Sequence, residues 1–137
     1  MKAKLLTITT TLAVILSSCG LEQQDNNVSL CKEYADAFKI GCAINHSIAS
    51  GRDSVANALV LHHFNAISPE NELKAETIHP RPGVWNFGPA DRYVEFGQKH
   101  NMHILGHTLV WHNQTPDFFF KNEDGTAKSK EEMTEVM

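Results

Sequence analysis

The sequence predicts an α/β fold in which parallel strands alternate with helices. Two segments carry this prediction, residues 64–74 and residues 106–114, because each begins as an apolar run and ends in polar side chains. In α/β barrels, the residues that bind ligands follow the carboxyl ends of the strands. The third observation is the order of strand, helix, strand, helix, strand and start of a helix from residue 40 onward, which is typical of a parallel sheet.

Residues 1–18 are predicted to be a signal peptide. Lys2 and Lys4 give the segment a positive start, and residues 5–16 form an uncharged, largely apolar run. This run is shorter than the roughly 20 apolar residues that a membrane-spanning helix needs.

A lipid anchor is predicted at Cys19. Residues 16–19, Leu-Ser-Ser-Cys, resemble the lipobox of bacterial lipoproteins, in which the chain is cut before the cysteine and the cysteine carries the lipid. An ordinary signal peptide with a cysteine nearby by chance is the alternative. We expect export, lipid attachment to the periplasmic or surface side of a bacterial membrane, and a polar tether over residues 19–29.

Length and composition limit the remaining possibilities. The predicted cut leaves residues 19–137, which suffice for one small domain, placed at residues 30–137, but fall short of a complete (β/α)8 barrel, which needs about 250 residues. The net charge of -4 leaves no basic patch, so nucleic acid is not expected as a partner. A hydrophobic content of 42% is typical of a globular protein.

Neither the cysteines nor the histidines predict a metal site or a cofactor. Cys31 and Cys42 are compatible with a disulfide or with free thiols, of which we favour free thiols, and no Cys-x-x-Cys spacing is present. Histidines four residues apart on one strand, such as His103 and His107, would be about 13 Å apart. A metal-dependent hydrolase that uses histidines is therefore the weakest of the functions considered.

Periodicity and turn residues predict the individual elements. Asp53 or Ser50 could cap a helix, Pro69 should stop the second strand, and Pro89 suits a first helical position. Ser129 with Glu132 forms a capping-box pattern at the start of the last helix. Helices are predicted over residues 30–38, 54–64 and 90–100, and strands over residues 40–44, 64–67 and 102–109.

Glu70, Asn71 and Lys74 are candidate ligand-binding residues. On a turn of helix, residues three and four apart share one face, so Lys74 would lie over the other two and all three would converge on one ligand. The same pattern also fits an ordinary solvated turn.

Trp111 stands among other polar and aromatic groups, His107, His112 and Gln114. An indole ring there would be a platform for the face of a sugar, although a buried core tryptophan is the alternative. Trp85 lies between apolar neighbours and is predicted to be structural packing.

Three segments in order resemble glycoside hydrolase family 10, the endo-β-1,4-xylanases. They are residues 67–74 (Ile-Ser-Pro-Glu-Asn-Glu-Leu-Lys), residues 82–92 (Pro-Gly-Val-Trp-Asn-Phe-Gly-Pro-Ala-Asp-Arg) and residues 106–116 (Gly-His-Thr-Leu-Val-Trp-His-Asn-Gln-Thr-Pro). The resemblance implies a (β/α)8 barrel, of which this sequence holds the first three βα units. Asn113 is a mild departure, because serine is common there.

The resemblance also implies substrate-binding roles. Glu70, Asn71 and Lys74 would hold the xylose unit two places to the non-reducing side of the cut. His107 and Trp111 would line the sugar next to the cut, and Gln114 would contribute to the same cleft.

No catalytic residue is expected in this sequence. Retaining glycosidases use two carboxylates about 5–5.5 Å apart, which in this family follow the fourth and seventh strands, so Glu70 is not the catalytic acid. The implied function is retaining hydrolysis of internal β-1,4 bonds in xylan by a complete enzyme, with this part alone inactive. The alternative is a non-catalytic polysaccharide-binding lipoprotein of a glycan-uptake system.

Three strands alone cannot close a barrel. We therefore expect unpaired strand edges, and Ile44, Ile67 and Leu105 on an inner face without the opposing strands that would bury them.

Overall fold

The computed structural model describes residues 28–137. The predicted signal peptide, Cys19 and most of the predicted tether lie outside these residues. In chain order the elements are α1 (Leu30–Glu33), β1 (Gly41–Ile44), α2 (His46–Ala49), α3 (Ser54–His63), β2 (Ala66–Pro69), α4 (Ala75–Ile78), α5 (Gly88–Lys99), β3 (His103–Ile104), a 3-10 turn (Asp117–Phe119) and α6 (Lys130–Val136).

The three strands form one parallel sheet in the order β1-β2-β3. Cys42 lies opposite Ile67, which in turn lies opposite Ile104. The predicted parallel α/β arrangement is confirmed, and the carboxyl ends of all three strands meet at one edge of the sheet.

Ile44 and Ile67 form the centre of the hydrophobic core, together with Val60 of α3 and Tyr93 and Phe96 of α5. Ile44 is 0% exposed and Ile67 is 1% exposed. The expectation that both isoleucines lie on an uncovered inner face was wrong, because strand alternation points them toward the helices. Leu105 does lie uncovered, with 52% of its surface exposed.

The opposite face of the sheet carries mostly small residues. A shallow hollow of about 240 Å³ lies over this face. In a closed barrel, the face away from the helices lines the interior. The hollow is lined by Gly41, Ala43, Ala66, Ser68, His103 and Leu105, with Cys42 and Ile67 lying between them along the strands.

Tyr93 joins α5 to the two strands beneath it. Its hydroxyl lies 2.8 Å from the carbonyl oxygen of Ile67 and 2.9 Å from that of Leu105, and its side chain is 1% exposed. Burial is the main cause that raises the pKa of Tyr93 to about 12, while the hydrogen bond to Leu105 acts in the opposite direction. Tyr93 therefore joins β2 to the chain at the point where β3 ends.

Gly97 allows α5 to lie directly on β3. A Cβ atom at this position would come within 2.5 Å of the Cγ1 atom of Ile104. Because a contact that short is sterically forbidden, any larger residue would push the helix away from the sheet.

The third strand is shorter than predicted. β3 spans only His103–Ile104, whereas residues 102–109 were predicted to be extended throughout. Leu109, the last residue of the predicted strand, is 97% exposed. The next bond of the ladder would run from the amide of residue 69 to the carbonyl of Leu105, but Pro69 has no N–H, and this carbonyl accepts from the Tyr93 hydroxyl instead.

Other boundaries also differ from the prediction. β2 begins at Ala66 and includes Pro69, because the amide of Glu70 donates to the carbonyl of Ile44 at 3.0 Å and continues the pairing past the proline. α1 ends at Glu33, since the exposed stripe that suggested a longer helix buries little surface. The short helices α2 and α4 were not predicted.

Two predicted helix caps are confirmed. The carboxylate of Asp53 accepts a hydrogen bond from the amide of Ala56 at 3.0 Å at the start of α3. Ser129 and Glu132 form the predicted capping box of α6. Pro89 lies in the first turn of α5, one residue after the first helical position.

Cys31 and Cys42 are free thiols that are each partly buried. Burial raises the pKa of the Cys42 thiol. Within residues 28–137, none of the helices has the length and apolar character needed to cross a bilayer.

Tyr93→Phe should destabilise the protein by about 1–3 kcal/mol, because it removes the one buried O–H that lies between the carbonyl oxygens of Ile67 and Leu105. Chemical denaturation measures the difference, and Tyr34→Phe is the matched control because Tyr34 is 46% exposed. The unfolded state loses the phenol proton near pH 10, before the folded state does, so wild-type stability should fall as pH rises from about 10 to about 12. Tyr93→Phe should not show the loss of stability that the Tyr93 phenol causes over this pH range. If Tyr93→Phe were as stable as Tyr34→Phe, the role of Tyr93 would be contradicted.

Candidate functional site

The predicted binding residues follow the carboxyl ends of β2 and β3. Glu70 and Asn71 come directly after β2, and Lys74 immediately precedes α4. The loop after β3 carries His107, Trp111 and Gln114. Because parallel strands end at the same edge, two loops that are far apart in sequence become neighbours.

Asn71, Lys74 and Gln114 form a closed hydrogen-bonded network. The Lys74 ammonium donates to the Asn71 side-chain oxygen at 3.0 Å, and the Gln114 side-chain amide donates to the same oxygen at 2.9 Å. The Lys74 ammonium also donates to the Gln114 side-chain oxygen. The structure therefore brings together three of the predicted binding residues from two different loops.

Gln114 is held in an uncommon backbone conformation. Its φ of 54° lies in the left-handed region, which residues other than glycine adopt at an energetic cost. Its carbonyl accepts from the amide of Glu76 at 2.9 Å, and its own amide donates to the side chain of Asn113 at 3.0 Å. These two contacts fix the backbone, so the side chain points toward Lys74. Asn113, the departure from the family pattern, thus has a local role.

The predicted helical turn would place Lys74 over Glu70, but the structure does not have this arrangement. Residues 70–74 form bends and turns, and the first helical residue after them is Ala75. Since only a helix brings residues four apart onto one face, Lys74 contacts Asn71 but makes no hydrogen bond or ion pair with Glu70 within the described residues. The Glu70 carboxylate instead accepts from the side-chain amide of Asn45 at 3.3 Å.

Asn45 was not predicted to belong to the site. Its side-chain oxygen caps α2 by accepting from the amides of Ser47 at 3.0 Å and Ile48 at 3.2 Å. This leaves its side-chain nitrogen to reach Glu70. The only sequence signal for this role is the general preference for asparagine at helix N-caps.

Glu72 was also missed. It is 6% exposed, although it lies beside the exposed residues Glu70 and Asn71. One carboxylate oxygen accepts from the amide of His46 at 2.7 Å, and the other accepts from the amide of Asn71 at 2.9 Å. A charged residue in a polar segment is usually solvated, so nothing in the sequence marks Glu72 as buried.

His107 and Trp111 form an aromatic pair on the loop after β3. Their ring centroids are 5.7 Å apart, and the rings meet at 64°. Trp111 is 40% exposed and also contacts the ring of His112, with 4.3 Å between centroids. This exposure argues against the core-tryptophan alternative, because an indole in a core would be buried.

Trp85 is less buried than a packing residue should be. Its side chain is 58% exposed, which corrects the prediction. It stacks at 3.9 Å on His79, which is 8% exposed and whose Nε2 atom has no hydrogen-bond partner among the described residues. Trp85 therefore covers His79 with one part of its ring system and leaves the rest in solvent.

The chemistry of these groups suits an uncharged, hydroxyl-rich ligand. Lys74 uses two N–H groups on Asn71 and Gln114, so its third remains for a ligand. The side-chain nitrogen of Asn71 has no partner among residues 28–137. In the same part of the chain, no three His, Cys, Asp or Glu side chains come together in a way that could hold a metal ion.

Comparison with known proteins gives consistent relatives. The chain is 43% identical to a beta-1,4-xylanase of Dictyoglomus thermophilum over 111 residues, covering 80% of this chain and 30% of that protein. It is 45% identical to an endo-1,4-beta-xylanase A of Caldicellulosiruptor saccharolyticus over 105 residues, covering 77% and 30%. The chain thus spans 30% of the length of these two relatives, and as little as 10% of other curated relatives that it matches.

Solved structures and a family model agree with these relatives. The crystal structure of an endo-1,4-beta-xylanase from Caldicellulosiruptor owensensis matches with a TM-score of 0.69 and 41% identity, over 79% of this chain and 32% of that one. The three parallel strands and their helices therefore correspond to part of a (β/α)8 barrel. The family model of glycosyl hydrolase family 10 matches residues 29–137, and the chain belongs to that family.

Proposed function

We propose that this sequence supplies part of the sugar-binding cleft of an endo-1,4-β-xylanase, which hydrolyses internal β-1,4 bonds of xylan with retention of configuration. The observation that carries the proposal is the network of Asn71, Lys74 and Gln114, which two loops of the barrel assemble at one edge of the sheet. A relative of known structure, 41% identical, is described as a mutant in complex with xylotriose, which supports a xylo-oligosaccharide as the ligand.

The residues of this chain bind and orient the substrate. Glu70, Asn71 and Lys74 hold the xylose unit two places to the non-reducing side of the cut, and Gln114 contributes to the same cleft. His107 and Trp111 line the unit next to the cut, where the exposed indole offers an apolar surface to the sugar ring. The enzyme can use the binding energy of xylose units that do not react to position the bond that is cleaved.

The two reacting carboxylates belong to other strands of the barrel. In the family they follow the fourth and seventh strands, and the described residues form three strands. The acid/base carboxyl protonates the leaving oxygen while the nucleophile forms the glycosyl-enzyme, which water then hydrolyses. The contribution of residues 28–137 is to fix the sugar units that lie on the non-reducing side of that bond.

The function is tested by incubating xylan with a form of the protein that contains the whole barrel. We expect new reducing ends, a first product with the β-anomer by NMR, and the same rate with a chelator present. Binding of xylan without hydrolysis would instead support a polysaccharide-binding lipoprotein, and loss of the rate with chelator would support a metal-dependent enzyme. Residues 20–137 alone, as the matched control, should release no reducing ends.

A second proposal concerns the cell location. We infer that Cys19 carries a lipid that holds the protein on a bacterial membrane, because Leu-Ser-Ser-Cys follows an uncharged apolar run at residues 16–19. A soluble chain attached through a polar tether could then act on polysaccharide near the membrane.

Metabolic labelling with a radioactive fatty acid tests the anchor. Wild-type protein should carry the label and move to the membrane fraction, whereas Cys19→Ala should carry none and keep its signal peptide. Cys31→Ala is the matched control and should be labelled like wild type. Label retained on Cys19→Ala would contradict the proposal.

A further inference from the structure

We propose that Glu72 is a positioning residue, whose buried carboxylate joins the loop after β2, which presents Glu70 and Asn71 to the sugar, to the start of α2. The proposal deepens the proposed function and rests on it for the identity of the ligand. Glu72 itself is not expected to touch the substrate, because its carboxylate oxygens face backbone amides and its side chain is 6% exposed.

The two oxygens of Glu72 bridge two loops. The amide of His46, directly after the loop that follows β1, donates to one oxygen at 2.7 Å. The amide of Asn71, in the loop after β2, donates to the other at 2.9 Å. Hydrogen bonds to a carboxylate are stronger than those between neutral groups, and burial protects them from competition by water.

The contact with Asn71 acts directly on the site. A fixed backbone amide limits where the Asn71 side chain can lie, and its oxygen must accept from both Lys74 and Gln114. If the Asn71 backbone moved, the shared acceptor of the network would move with it. Glu72 therefore sets the position of the network from the side away from the ligand.

The contact with His46 acts on Glu70 through Asn45. The side-chain oxygen of Asn45 is occupied by the first amides of α2, so its side-chain nitrogen points toward the Glu70 carboxylate at 3.3 Å. Holding the amide of His46 holds the start of this helix and with it Asn45. One buried carboxylate thus orients both Asn71 and Glu70.

A role in stability alone would have a different signature. A purely structural residue, when changed, weakens every activity of the enzyme alike. A positioning residue weakens only those substrates that reach the side chains it positions. Substrate length separates these cases, because Glu70 and Asn71 are assigned to the xylose unit two places from the cut.

Glu72→Gln is the most informative variant. It preserves the size of the side chain but replaces one acceptor oxygen with an NH₂ group, which would face a backbone N–H that also donates. Glu95→Gln is the matched control, since Glu95 is an exposed residue of α5. Both variants remove one negative charge, so a difference between them reflects position.

The kinetic test compares 4-nitrophenyl β-xylobioside with 4-nitrophenyl β-xyloside, using a form of the protein with the whole barrel. Glu72→Gln should lower kcat/KM about tenfold or more for the xylobioside, mainly through KM, the size expected for loss of a hydrogen bond to a charged group. The xyloside, which does not reach Glu70 or Asn71, should change less than about twofold. Equal losses on both substrates, or no loss on either, would overturn the proposal.

Amide hydrogen exchange tests the same proposal without activity. In Glu72→Gln, the amides of His46 and Asn71 should exchange about tenfold faster or more. The amide of Leu105, which donates to Ile67 at 2.9 Å within the sheet, should exchange as in wild type. Uniform acceleration, or unchanged exchange at both loop amides, would overturn the proposal. If wild type cleaves neither glycoside, the proposed function fails and exchange alone decides the role of Glu72.

Discussion

The parallel pairing of β2 with both of its neighbours is the constraint on which the candidate site depends. The amide of Glu70 donates to the carbonyl of Ile44, and the amide of Leu105 donates to the carbonyl of Ile67, each at the point where a strand ends. These bonds bring the carboxyl ends of the three strands to the same edge of the sheet. The loops that follow therefore start side by side, and Asn71 and Gln114 can share a hydrogen bond although 43 residues separate them.

The packing of α5 on the sheet stabilises that pairing. Gly97 lets the helix approach Ile104 closely, and Tyr93 reaches the carbonyl oxygens of Ile67 in β2 and of Leu105 directly after β3. Strand ends next to a binding site are prone to fray, because few neighbours hold them. The Tyr93 hydroxyl contacts the Leu105 carbonyl at the end of β3 and opposes this fraying, so core packing and site geometry are linked through one side chain.

Much of this arrangement could be predicted from the sequence, for local reasons. Apolar runs, the Asp53 cap and the Ser129 capping box depend on neighbouring residues, so the order of strands and helices followed from them. The grouping of Asn71, Lys74 and Gln114 followed from a general property of parallel sheets and from resemblance to a family. The position of Glu70 was wrong, because a helical turn was assumed where the chain bends.

The rest depended on tertiary contacts that leave no local pattern. Glu72 is buried only because amides from two loops point at it, and Leu109 is exposed although it is apolar. The short third strand likewise reflects its neighbour, in which Pro69 has no N–H to continue the ladder. Local pattern therefore predicted which segments carry the site, while the hydrogen bonds that orient its side chains required the structure.

A titration with xylotriose, followed by NMR of the side-chain amides of Asn71 and Gln114, tests most directly whether these loops form a sugar site. It should be made on a form of the protein that contains the whole barrel. We predict saturable shifts of both side-chain amides and of the Trp111 indole, with the amides of α6 unchanged. Shifts confined to other parts of the barrel, with Asn71 and Gln114 unaffected at saturation, would contradict the assignment.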